Sequence, residues 1–280
     1  MEIIDAHTHE PALTAAIAGT VDEQTAFEIS CELSLAAMDA VGVNAAILLA
    51  RSNWAEFAAS RHPTRFYSNI RLDPGAPDIE DLVERAKDTP GVVGLQAYLS
   101  WPLTGENLQL LHAGGFERMF SAAEKQQMPI SIIVSGDLPE LVPVAEAHPD
   151  LKLVVPHFGL KQPPLRQVDS PPWLQLPDLL ALSRYPNVFV KASGLPTLSA
   201  TPFPFEDIWP HVHRVLDAFG VDRVIWASDY TRVKPLLNYE VSLAYLRDSS
   251  ELSNDEKEKV LALNARRVFD LSVADERSRL

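Results

Sequence analysis

EIIDAHTH, from Glu2 to His9, starts apolar and then sets Asp5, His7 and His9 at alternate positions. On a β-strand, residues two apart project to one side, so the spacing predicts that these three side chains converge on one volume. A second His-x-His pair, His211 and His213, has a different setting. It lies in FEDIWPHVHRVLDAFG, where Ile208, Val212, Val215, Leu216 and Phe219 recur at spacings of three and four. That is the period of an amphipathic helix, on which residues two apart do not face each other. His211 and His213 are therefore expected at the surface or in packing. The first pair, on a strand, is the one that can build a site.

Seven more apolar, β-rich segments follow: NAAILLA from Asn44, RFYSNIRL from Arg65, GVVGLQAYL from Gly91, PISIIVSG from Pro129, LKLVVPHFG from Leu151, NVFVKASG from Asn187 and DRVIWASD from Asp222. Near-continuous apolar strands indicate a parallel sheet covered by helices. Between them lie helix signals, such as DIEDLVERAK with Asp78 as its expected N-cap and LSLAAMDAVG ending at Gly42. No linker or change of composition interrupts this alternation, which predicts a single-domain α/β (β/α)8 TIM barrel over residues 1–280.

Composition narrows the function. With 24 basic and 38 acidic side chains the net charge is −14, which disfavours binding to nucleic acid or an anionic membrane. Cys31 is the only cysteine and is expected in packing; no apolar run is long enough to span a bilayer. The expectation is a cytoplasmic protein with a small-molecule substrate; assembly of identical chains is left open.

Barrel active sites lie at the C-terminal ends of the strands. The polar residues of this chain gather there: His7 and His9 after strand 1, Arg51 after strand 2, Arg71 on strand 3, Gln96 and Tyr98 on strand 4, His157 after strand 6, Lys191 on strand 7 and Asp229 after strand 8. DAHTH, PHFG, KASG and the terminal SD, in this order, together with the closing NARRVFDL from Asn264, resemble the amidohydrolase superfamily and its amidohydrolase-2 branch. The resemblance spans essentially the full length. It implies that Asp229 activates water, aided by His7, His9 and His157, and that these four supply metal ligands.

The residues support that chemistry independently. Two imidazoles and a carboxylate can hold one divalent ion, zinc by preference, which would polarise a carbonyl and acidify a water. Asp229 could take the water's proton as general base. His157 could be a further ligand or could polarise the substrate carbonyl, and Asp5 is expected behind the ligands.

Strand 5, PISIIVSG, lacks the metal-binding histidine found in much of the branch, which argues against a two-metal site and against decarboxylation. SGDLPELVPVAEAHPDLKLVVPHFG, from Ser135 to Gly159, is similar to the lactonase-like subgroup, some of whose members work without metal. The leading expectation is a hydrolase opening a lactone or related cyclic ester. A metal-dependent decarboxylase or hydratase, and a non-catalytic binding protein on the same barrel, remain as alternatives.

Arg51, Arg71, Lys161, Arg166, Lys191 and Arg232 fall at or after strand ends in this acidic chain. Arginine grips carboxylates through two parallel hydrogen bonds, so the substrate is expected to be anionic, held by Arg51, Arg71, Tyr98, Lys191 and Arg232. The loop FGLKQPPLRQVDSPPW, from Phe158 to Trp173, carries four prolines and is expected to shape the pocket. Trp54, Trp101 and Trp173, each after a strand, could add an aromatic wall. His62, His112 and His148 are assigned no role.

Overall fold

The computed structural model describes residues 1–11, 16–17, 19–49, 52–100, 104–164, 166–233 and 236–271. Arg51 and Trp101, and with them their expected roles, lie outside the described residues.

Eight strands form one parallel sheet in sequential order: β1 (Ile4–His9), β2 (Ala45–Leu49), β3 (Phe66–Arg71), β4 (Val92–Tyr98), β5 (Ile130–Ile133), β6 (Leu153–Val155), β7 (Val188–Ser193) and β8 (Val224–Ala227). All eight coincide with the segments expected from the sequence. Helices follow the strands: α1 (Glu23–Val41), α2 (Trp54–Arg61), α3 (Ile79–Asp88), α4 (Glu106–His112), α5 (Glu117–Lys125), α6 (Leu141–Ala147), α7 (Leu176–Ala181) and α8 (Trp209–Phe219). After β8 come α9 (Tyr230–Val233), α10 (Tyr239–Arg247), α11 (Asn254–Glu258) and α12 (Asn264–Phe269). The result is a nearly closed (β/α)8 barrel.

Local chemistry sets the helix ends. Asp22 caps α1 by accepting from the Thr25 N–H, and Gly42 ends it at φ 79°, a left-handed conformation that glycine adopts without steric cost. Asp78 does not cap α3. Its φ of −111° and ψ of 30° give no capping hydrogen bond, and its carboxylate instead meets Arg85 at 3.2 Å.

β1 closes against β8 through side chains as well as backbone. The Asp229 N–H donates to the His7 carbonyl at 2.9 Å, and the Ser228 N–H donates to Asp5 Oδ1 at 2.9 Å. The register of β1 on β2 shifts between Asp5 and Thr8, where β1 carries one extra residue. Such a bulge re-aims the side chains that follow it. Ile4 and Ala6 pack inside the barrel with Ile47, Phe189 and Ile225, while Asp5 faces the seam; beyond the shift, His7 and His9 face the mouth. The expectation that all three polar side chains share one volume is thus corrected: the bulge takes Asp5 out of phase with the histidines.

Val268 and Phe269 of α12 pack against the same interior residues and close the N-terminal end of the barrel. Above them lies a buried polar layer. Asn69 donates to Ser131 at 3.0 Å, and Lys191 donates to Ser131 at 3.2 Å and to the Ala6 carbonyl at 2.7 Å. Among the described residues, no helix is long and apolar enough to cross a membrane.

Candidate active site

At the C-terminal mouth of the barrel is a cavity of about 960 Å³ whose walls include His7, His9, Arg71, Tyr98, His157, Arg166 and Arg232. Asp229, buried beneath it, is the hub. Its Oδ1 lies 3.8 Å from His7 Nε2 and 3.5 Å from His9 Nε2, and Oδ2 lies 3.8 Å from His157 Nε2. The structure thus brings together His7, His9, His157 and Asp229, the four residues singled out in the sequence.

Each side chain is held by a neighbouring strand or loop. The His7 N–H donates to Asp5 Oδ1 at 3.2 Å, and the His9 N–H donates to Thr231 Oγ1 at 2.8 Å. The His157 N–H donates to Ser193 Oγ at 2.8 Å, and the same hydroxyl lies 2.9 Å from His157 Nδ1. The three imidazoles pack edge to face, with centroids 5.1 Å apart for His7 and His9 and 4.9 Å for His7 and His157. His157 at φ 60° and Asp229 at φ 51° both stand in the left-handed region, conformations that cost energy and gather at functional sites.

Two oxygens of one carboxylate meet two different environments. Arg232 Nε donates to Oδ2, and its guanidinium is anchored further by the Pro163 carbonyl at 3.2 Å and Gln162 Oε1 at 3.3 Å. Gly194, at φ 63°, leaves room for this strut, since a Cβ there would come within 2.7 Å of Gln162 Oε1. Asp229 Oδ1, in contrast, is buried without a hydrogen-bond partner among the described residues.

Electrostatics follow from burial and this asymmetry. Burial alone would raise the Asp229 carboxyl; Arg232, with His9 and His157, overrides it and holds the group at about 2. Burial, reinforced by Arg232, lowers the His157 imidazole to about 3. Burial, with His157 and His9 beside it, also puts His7 well below its ordinary value. Asp229 is then ionised at neutral pH, whereas His7 and His157 are neutral with lone pairs to offer.

An orphaned carboxylate oxygen facing two Nε2 atoms is a donor set that fits one divalent cation, and His7, His9 and Asp229 present ligand atoms within 4.8 Å of one another. The surroundings are less usual for such a site. His7 Nδ1 and His9 Nδ1 are buried without partners among the described residues, whereas metal-bound histidines ordinarily donate from the second nitrogen. Packing and backbone contacts hold these rings instead.

Other expected site residues separate into wall, strut and floor. Arg71 and Tyr98 line the cavity, with the guanidinium 4.8 Å above the phenol ring. Tyr98 Oη donates at 2.8 Å to Gln96, which lies deeper. Arg232 also lines the cavity but is engaged with Asp229. Lys191 is the correction: it is fourth of six residues in β7, fully buried, and bonded in the floor rather than exposed to substrate. Ser193, two residues on, is the one that reaches the site. The tryptophan wall is likewise absent among the described residues. Trp54 is buried and donates to the Phe27 carbonyl at 3.2 Å, and Trp173 stacks on His211 at 4.4 Å. His213 pairs with Glu251 at 2.8 Å, so the second His-x-His pair serves packing and surface contacts.

Sequence reasoning missed Ser193, Gln162 and Thr231. KASG carried a signal for Ser193, because a residue two beyond Lys191 shares its face and stands one layer nearer the mouth. Gln162 acts from the loop after β6 and Thr231 from the four-residue helix α9, and neither position has a periodic signature.

The family described as Amidohydrolase matches residues 4–271. The chain belongs to it. It is 35% identical to the L-fucono-1,5-lactonase of Burkholderia ambifaria over 101 residues, 36% of this chain and 33% of that protein. It is 30% identical to the 4-sulfomuconolactone hydrolase of Hydrogenophaga intermedia over 121 residues, 41% of this chain and 38% of that protein. The matches thus span only about a third of the length of these curated relatives.

Among solved structures, an amidohydrolase from Burkholderia multivorans with bound zinc superposes with a TM-score of 0.77 at 20% identity, covering 97% of this chain and 100% of that one. A probable 2-pyrone-4,6-dicarboxylic acid hydrolase from Acinetobacter baumannii, with citric acid bound, gives 0.71 at 20% identity over 96% and 100%. The 2,6-dihydroxybenzoate decarboxylase from Rhizobium gives 0.63 at 15% identity over 97% and 99%. At such identities the likeness shows a shared fold, and the chemistry must come from the site.

Proposed function

We propose that this chain is a hydrolase that opens a lactone or related cyclic ester bearing a carboxylate. The observation that carries the reading is the buried Asp229, whose Oδ1 has no hydrogen-bond partner among the described residues and faces His7 and His9 below a cavity edged by Arg71 and Arg166. The family and the partial likeness to two lactone-opening enzymes support it.

Asp229 Oδ1 is placed to take a proton as water attacks the ester carbonyl. The ring C–O bond then breaks, and the leaving oxygen recovers that proton, giving a hydroxy acid. His157, neutral and pinned by Ser193, can donate or accept only through Nε2, the nitrogen that faces Asp229. Arg71 and Arg166 are placed to hold the substrate's carboxylate away from Asp229. A zinc ion bound by His7, His9 and Asp229 would supply carbonyl polarisation and a more acidic water. Without that ion, Asp229 Oδ1 is itself the base.

The test is turnover of carboxylate-bearing and sugar lactones by purified protein, before and after chelation, alongside Asp229→Asn. Ring opening by the native chain, lowered on the order of a thousandfold in the variant, is expected. Absence of turnover across the panel, or full activity in Asp229→Asn, would overturn the reading.

A further inference from the structure

Arg232 departs from the role of a free substrate clamp. Its guanidinium is almost wholly buried, touches Asp229 Oδ2, and is fixed from the opposite side by the Pro163 carbonyl and Gln162 Oε1. Gln162 is itself tied to the strand end that holds His157, donating to the Ser193 carbonyl at 3.1 Å. The strut therefore joins the loop after β6 to the carboxylate after β8.

A cation drawn to His7, His9 and Asp229 Oδ1 would share one carboxylate with this guanidinium. The two positive charges would sit close together in a buried site, where water and salt screen little. Imidazole ligands bring no negative charge, so the one carboxylate offers a divalent ion a single negative charge, and Arg232 already neutralises it. We propose that Arg232 competes with a divalent metal ion for Asp229, making this a single, low-affinity and exchangeable metal site in which the arginine is the carboxylate's resident cation. The inference rests on His7, His9 and Asp229 as the cation-binding set and not on lactone chemistry, so a negative lactone panel would leave it standing.

Direction distinguishes this from a structural role. A residue that merely braces the site should weaken metal binding when removed, because its loss disorders Asp229. A competing charge should strengthen it. The experiment is titration of zinc chloride into the full-length protein, stripped of metal, against a chromophoric chelator, using the native chain, Arg232→Met, Arg232→Gln and Arg232→Lys. Both neutral variants should bind zinc at least tenfold more tightly than the native chain, and Arg232→Lys should stay within about threefold of it. Adding His9→Ala to either neutral variant should abolish the gain. Arg232→Gln keeps donors for Pro163 and Gln162 and guards against a misfolded Arg232→Met, with circular dichroism reporting the fold. Unchanged or weaker binding in the neutral variants, no binding in any variant, or a gain that survives His9→Ala would each overturn the proposal.

Discussion

Asp5 reaches across the barrel seam to Ser228, taking hydrogen bonds from its backbone N–H at 2.9 Å and from its hydroxyl. The same carboxylate accepts from Tyr239 Oη at 2.9 Å and from the His7 N–H at 3.2 Å. One buried side chain thus joins β1, the end of β8 and α10 directly beneath the candidate site. Burial raises its pKa, while Ser228, His7 and Tyr239 oppose the shift by bonding to the charged form.

Removing these acceptors should loosen both barrel and site. Asp5→Ala would strand several buried donors, each costing about 1–3 kcal/mol when unsatisfied, and we expect a net loss of about 3 kcal/mol. Urea unfolding measures it. A loss below about 1 kcal/mol would mean that the seam closes without this carboxylate.

Acid should unsettle the fold well above the carboxylate range. His157 stands at about 3 in the folded chain, its burial opposing charge, against an ordinary value of 6.5. Between those values the unfolded chain binds more protons, so stability falls as pH drops below about 6.5. From pH 6.5 to pH 5 this one group accounts for about 2 kcal/mol. His157→Asn should flatten the decline over that interval by a similar amount, read from urea midpoints at several pH values. An unaltered slope would place the acid sensitivity elsewhere.

The eight strands were legible because each is an apolar run bounded by helix and turn signals, and sequential parallel order follows from the helices between them. His7, His9, His157 and Asp229 were legible because a barrel gathers the ends of its strands at one mouth. Asp5 stands behind the ligands as expected, but the strict alternation that grouped it with the histidines fails, because a bulge leaves no mark in residue types. Lys191 misled because the length of β7, and not its composition, decides whether a lysine stands at the mouth or in the floor. Arg232 was found as a basic residue after β8, but its contact with Asp229 depends on the short turn of α9 and on a loop 70 residues earlier in the chain.

Arg71 offers a test of the substrate's charge. It lines the cavity over the Tyr98 ring, apart from the Asp229 cluster, so its loss should spare the reacting groups. Arg71→Ala should raise KM for an anionic lactone about tenfold or more, leaving kcat and the KM for a neutral lactone nearly unchanged. Equal effects on both substrates would remove the carboxylate clamp from this residue.

Lys191 gives the opposite end of the pH axis its own signature. Its ammonium is enclosed by the Ala6 carbonyl, the Ser131 hydroxyl and, at 5.0 Å, the Phe269 ring, and among the described residues no carboxylate lies within ion-pair distance of it. Burial lowers the group to about 7, although Asp5 and Asp229 pull the other way. A base depressed on folding binds fewer protons folded than unfolded between its two pKa values, so stability should rise as pH increases from about 7 toward its ordinary value of 10.5. From pH 7 to pH 9 the rise should be about 2–3 kcal/mol. Lys191→Met cannot titrate, and its unfolding free energy should stay flat over that interval whatever its absolute value. Comparing urea curves at the two pH values decides the matter, and an equal rise in both proteins would show that Lys191 keeps its proton in the folded barrel.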